Sequence, residues 1–224
     1  MKKQLSTYIF FLLFLIGGIS AQAQVNTDPN LKVWFSFNNY TEGTSTIMDV
    51  SGNNFAATLK NEATISATGG IDGVLDLGSS DGFLDLGALF GSQFLHTLED
   101  FTISTFICIS SEAVITNNGN FVFSFGNSEK IATDSNGCMF FSAKNTRYAI
   151  SLTHWASEQG VEKGSAMEKG KWKHLAISYK LSTKTVKIYI DGTVVATSAN
   201  IGLAPKTLGT PAYNFIGKSS YALN

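Results

Sequence analysis

Three groups of residues in the 224-residue chain have types that could do chemistry. The first is acidic. Two carboxylates about 5 Å apart on one face could serve as a nucleophile and an acid/base pair. Glu99 and Asp100 are adjacent, so an extended backbone points them to opposite faces, and Asp76 and Asp85 stand on separate short segments without a third acid. No hydrolytic pair is legible. The second group is Cys108 and Cys138 with His96, His154 and His174. No Cys/His spacing suits a metal, and no Gly-x-Ser-x-Gly elbow raises a serine nucleophile. The two cysteines could form a disulfide, worth roughly 3–4 kcal/mol in the chain-entropy model, or stand as free buried thiols on separate strands. Spacing alone leaves both readings open.

The third group suits ligand recognition. Arg147, Tyr148 and Trp155 lie on one candidate strand and the loop after it, with Asn145 at the strand's other end. Sugar binding takes aromatic faces for stacking and a few fixed polar groups, and these four supply both. The competing reading turns Tyr148 into the core and makes Trp155 a loop-packing residue. Asp49 is a candidate oxygen ligand for calcium. It also opens Asp49-Val50-Ser51-Gly52-Asn53, whose residue types favour a tight turn, and the turn is the first reading.

The elements that must carry these residues alternate with period two. In Lys171 to Ser198, Leu175, Ile177 and Tyr179 share one face of a strand from Trp172 to Tyr179, and Val186, Ile188 and Ile190 share one face of the next, Thr185 to Ile190. Asp191-Gly192 is a two-residue hairpin turn, and Thr193 to Ser198 is the return strand. Phe101 to Ile109 alternates strongly. Phe121 to Gly126, Cys138 to Ala143 and Thr146 to Thr153 read as further strands, as does Leu31 to Asn38. Gly73 to Gly87, with its repeated Leu-Asp-Leu, reads as a local hairpin around Ser-Ser-Asp-Gly. Leu89 to Leu98 reads as a helical turn, and Trp155 to Lys169 as a polar loop.

Residues 1–23 have the pattern of a secretory signal peptide: Lys2 and Lys3, an apolar run from Tyr8 to Ile16, and Ala21-Gln22-Ala23 at the cleavage site. Residues 24–224 are then one domain, with no membrane span after cleavage. The 16 basic residues less Lys2 and Lys3, against 17 acidic ones, give that domain a formal charge of −3. No basic stripe exists, which argues against a nucleic-acid partner.

The ordered set Trp172-Lys173-His174, Tyr179 and Val186-Lys187-Ile188-Tyr189-Ile190-Asp191-Gly192 resembles laminin-G-like domains of the concanavalin A-like superfamily. Asp49-Val50-Ser51-Gly52-Asn53, Asp100 to Ser104 and Tyr213 to Ser219 extend the likeness over Leu31 to Ser220. The resemblance implies an all-β jelly-roll sandwich of two antiparallel sheets, lacking its usual last strand at Asn224. It implies calcium in some branches, without a transferable ligand set. The run from Phe121 to Ser151 resembles modules attached to secreted bacterial glycoside hydrolases acting on arabinose-containing plant polysaccharides. That implies a non-catalytic carbohydrate-binding module, a plant polysaccharide as partner, a catalytic domain downstream, and a secreted, periplasmic or cell-surface location. The alternative is an extracellular protein-interaction or adhesion module stabilised by calcium. Retaining glycanases of the superfamily carry a glutamate-x-aspartate-x-x-glutamate strand, which this sequence does not show.

Overall fold

The structure is a computed structural model. It describes residues 28–38, 40, 43–68, 71–116, 120–128, 137–153 and 157–221. The expected leader, residues 1–23, lies outside the described residues.

The central hairpins form as their alternation requires. β11 (Trp172–Lys180) pairs antiparallel with β6 (Phe101–Cys108) on one side and β12 (Thr185–Ile190) on the other, and β12 pairs with β13 (Thr193–Ser198). The turn residues Asp191 and Gly192 have φ of 50° and 76°, the doubly left-handed backbone of a tight hairpin. Leu175, Ile177, Tyr179, Val186 and Ile188 are buried on the inner face of this four-stranded sheet.

The second sheet has eight strands: β1 (Thr46–Met48), β2 (Ala56–Lys60), β5 (Phe83–Asp85), β14 (Tyr213–Ile216), β7 (Phe121–Gly126), β8 (Cys138–Ser142), β9 (Arg147–Ser151) and β10 (Gln159–Glu162), in that spatial order. Its inner face supplies Ile47, Leu84, Phe123, Phe125, Phe141, Tyr148 and Ile150 to a core shared with the four-stranded sheet. Each such side chain contributes roughly 1.5–3 kcal/mol on burial. A short helix, α1 (Gly87–Gln93), docks beside β14. A Cβ on its Gly91 would lie 1.9 Å from the Pro211 carbonyl oxygen, so only glycine allows this approach.

Three expectations are corrected. Leu31 to Asn38 is not a strand among the described residues. Its burial alternates as expected, but its hydrogen bonds go to a loop. The Asp49 carboxylate accepts from the Trp34 N–H (2.7 Å) and the Ser51 N–H (2.9 Å) through Oδ1, and from the Ser51 hydroxyl (2.5 Å) through Oδ2. The Asn53 amide donates to the carbonyls of Leu31 and Lys32, both at 3.0 Å. Gly73 to Gly87 is not one hairpin: β4 (Ile71–Asp76) pairs with β3 (Thr64–Thr68), whereas β5 joins the large sheet. The polar stretch after Trp155 contains β10, an edge strand on β9.

Asp49 is thus a hub that ties the leading segment to the sandwich. Asp49→Ala removes three hydrogen bonds to a buried carboxylate. It is expected to lower the unfolding free energy by about 2–3 kcal/mol in urea titration. A loss below about 0.5 kcal/mol, within the range of ordinary surface substitutions, would show that the hub does not hold the segment.

Candidate functional site

Period-two alternation places a second set of side chains on the outer face of the eight-stranded sheet. On β8, Phe141 fills the core and Phe140 points away from it. On β9, Tyr148 and Ile150 fill the core, and Arg147, Ala149 and Ser151 point away. Ser142 pairs with Arg147, and Phe140 with Ala149. Across the edge, Glu162 of β10 pairs with Arg147.

The Phe140 ring stands 4.9 Å from the Phe121 ring and 5.8 Å from the Tyr221 ring, the latter edge-on. The Arg147 guanidinium lies 5.5 Å above Phe140. It pairs with Glu158 at 2.7 Å and with Glu162 at 3.6 Å. Asn145 donates its amide to Glu162 at 3.1 Å. The Tyr221 hydroxyl donates to Glu158 at 2.5 Å. The segment bearing Tyr221 is fixed from below: the Ser124 hydroxyl donates to the Ser220 hydroxyl (2.7 Å), and the Ser220 N–H donates to the Ser124 oxygen (3.2 Å).

This arrangement offers the partly exposed Phe121 and Tyr221 rings over a buried Phe140, with a forked cation, two carboxylates and a carboxamide in one patch. The formal charges of Arg147, Glu158 and Glu162 sum to −1. Such a patch favours neutral polyhydroxyl ligands over acidic ones. Glu162 and Arg147 stay accessible at the rim, with side chains 43% and 29% exposed, whereas Glu158 is 9% exposed and holds the interior end.

Of the four residues expected at a ligand site, Asn145 and Arg147 are brought together here. Tyr148 is not: it is fully buried in the core beside Phe101 and Tyr179, and its ring is closed to any ligand. Its hydroxyl has no partner among the described residues, and burial pushes its pKa upward. Trp155 lies outside the described residues. Phe121, Phe140, Glu158 and Tyr221 join the patch without having been expected. The Phe140-Phe141 pair was the available signal, because adjacent strand residues must face opposite ways.

The other candidates resolve into structure. Both cysteine thiols are free. Cys108 is exposed on the outer face of the four-stranded sheet, while Cys138 is buried against Phe140 and Ala149 in the other sheet. Of the two readings left open by the spacing, free thiols fit the structure: the two point away from the core on different sheets. Burial pushes the Cys138 thiol up to about 12. Asp49 spends its carboxylate on the donors described above. Among the described residues, no group of three or more His, Cys, Asp or Glu side chains could hold a metal ion. Asp85 accepts from the Gly87 N–H, Asp76 from the Gly78 N–H and Asp100 from the Leu181 N–H, while Glu99 pairs with Lys206. His174 shares a 2.8 Å hydrogen bond with the Ser104 hydroxyl and lies beside Phe106 rather than in the core.

Two antiparallel sheets packed around one core form a jelly-roll β-sandwich. The chain belongs to the concanavalin A-like lectin/glucanases superfamily, whose Laminin G 3 family model matches residues 86–223. Among solved structures it is similar to domain 4 of AbnA, a GH43 extracellular arabinanase from Geobacillus stearothermophilus, in complex with arabinotriose. That match has 17% identity and a TM-score of 0.57, over 81% of this chain and 84% of the other. A mutant Trypanosoma rangeli sialidase displaying trans-sialidase activity matches at 16% identity and a TM-score of 0.51, over 83% of this chain and 27% of the other. At these identities the likeness is one of fold. The comparison with curated proteins gives no match.

Two outcomes check the placements. Tyr148→Phe removes a buried hydroxyl without a partner and is expected to raise stability by up to about 1 kcal/mol in denaturant titration; a marked loss would assign the hydroxyl a partner. A thiol reagent at neutral pH is expected to label Cys108 alone in the folded protein and both thiols after unfolding. Because the folded-state value of Cys138 is raised, its contribution to stability is complete below the ordinary thiol pKa of 9.0 and is lost as pH rises toward about 12. Cys138→Ala should flatten that part of the alkaline limb. Labelling of neither thiol until a reductant is added would restore the disulfide.

Proposed function

We propose that this protein is a non-catalytic carbohydrate-binding module of an exported polysaccharide-degrading enzyme, taking neutral, arabinose-containing plant glycans on the outer face of its eight-stranded sheet. The observation that carries the reading is the partly exposed Phe121 and Tyr221 rings, packed on buried Phe140 and bordered by Asn145, Arg147, Glu158 and Glu162. Aromatic rings present flat faces to sugar C–H surfaces, and carboxylates, amide and guanidinium match hydroxyls that both donate and accept. The negative charge of the patch works against sialic and uronic acids. The arabinotriose bound to domain 4 of AbnA supports arabinose as the sugar to try first.

Several further assignments belong to the same reading. Residues 1–23 are the export signal and 24–224 the module. The protein works outside the cytoplasm, secreted, periplasmic or at the cell surface of a bacterium. A catalytic domain follows in the parent chain. Trp155, from the connection between β9 and β10, adds a stacking ring to the site.

The test is a glycan array followed by calorimetry with arabinan-type and other plant polysaccharides, with and without calcium. A lone module of this kind is expected to bind with a Kd near millimolar, about −4 kcal/mol. Arg147→Ala and Trp155→Ala should each weaken binding to a neutral glycan about tenfold or more, while Tyr148→Phe leaves it unchanged. Binding to no glycan under any condition would end this reading and leave a protein-interaction module in its place.

A further inference from the structure

The outer face of the four-stranded sheet carries a groove of about 1170 Å³. It opens where β6 begins and β11 ends, and the chain from Asp28 to Lys32 helps to line it. The register supplies its floor in rows. Thr102, Ser178 and Lys187 stand side by side in the first row, and Ser104, Ala176 and Tyr189 in the second. One step further, Phe106 stands opposite His174. Successive rows are about 6.8 Å apart along the strands. The Ser104–His174 hydrogen bond joins the second row to the third, and the His174 ring lies 5.1 Å from Phe106, which is 70% exposed.

The chemistry of this track is specific enough to name a class of ligand. Thr102, Ser104 and Ser178 present hydroxyls that can donate or accept. Tyr189 and Phe106 present rings at the next steps. The charged lining balances, with Asp28, Glu99 and Asp100 against Lys32, Lys180 and Lys187. A groove without net charge has no electrostatic hold on a nucleic acid or an acidic glycan. Its volume exceeds the range of roughly 300–1,000 Å³ usual for small-ligand pockets, which suits an extended chain better than a single ring.

We propose that this groove is a second glycan-binding site, taking a neutral oligosaccharide along the strands, with Tyr189 as the stacking surface inside it and the exposed Phe106 ring, one row beyond its lining, as a second. The choice of ligand rests on the function proposed above; the site itself is separate, on the sheet opposite to the Arg147 patch. With both sites filled, one module holds two polysaccharide chains, one on each outer face.

Calorimetry of the whole protein with a linear neutral arabino-oligosaccharide tests this. The expected stoichiometry is two ligands per chain. Arg147→Ala should leave one site, the double variant Phe106→Ala/Tyr189→Ala should leave the other, and the triple variant should bind none. Phe106→Ala alone, at a solvent-exposed position that spares the fold, should weaken the groove site about tenfold. A single site in the unmodified protein, lost with Arg147→Ala and untouched by Phe106→Ala/Tyr189→Ala, would overturn the groove and keep the first reading. A single site with the opposite sensitivities would keep the groove and remove the Arg147 patch. Absence of all binding would overturn both.

Discussion

Phe141 and Tyr148 lie directly opposite one another on β8 and β9, and both are fully buried between the sheets. Everything on the outer face near them follows from that pair. A pleated strand turns each successive side chain to the other side. Once Phe141 and Tyr148 are committed to the core, Phe140, Ser142, Arg147 and Ala149 are committed to the outside. A register slip of one residue would move Arg147 into the core and Tyr148 out of it, at the cost of burying an unpaired guanidinium. The core therefore sets the position of the polar patch more firmly than the patch's own interactions do.

Those interactions define geometry more than they add stability. Glu158 is nearly buried, and it accepts from both Arg147 and Tyr221. A pair of this kind recovers little beyond its desolvation cost. What it does is hold the guanidinium over the Phe140 ring, between Glu158 and Glu162. The same division appears on the opposite sheet. There Asp191 takes the His174 N–H and the Lys173 ammonium, and these partners hold its carboxyl below the usual range. The exposed ion pairs around Lys173 orient the hairpin end without contributing measurably to folding.

Much of the sandwich was legible in the sequence. Phe101 to Cys108 and the three strands from Trp172 to Ser198 are rich in β-branched and aromatic residues at alternate positions, a pattern that packing rewards directly. Leu31 to Asn38 shows the same alternation, yet its polar backbone groups are met by Asp49, Ser51 and Asn53 instead of a neighbouring strand, a choice the pattern does not encode. β10 was hidden because Gln159-Gly160-Val161-Glu162 has one apolar residue and no intrinsic preference for a strand; β9 recruits it. At the candidate site, Arg147 and Tyr148 were paired in expectation although neighbours on a strand cannot share a face. Tyr221 joins from far along the chain, where sequence offers no signal of proximity.

β14 sits in the middle of the eight-stranded sheet, between β5 and β7, although it is the last strand in chain order among the described residues. The two halves of the sheet, β1-β2-β5 and β7-β8-β9-β10, are not hydrogen-bonded to each other except through residues 213–216. A ribosome must therefore deliver almost the whole domain before the larger sheet can close. Until then each half presents an open edge, and the contacts that close it span most of the sequence, which makes folding slow.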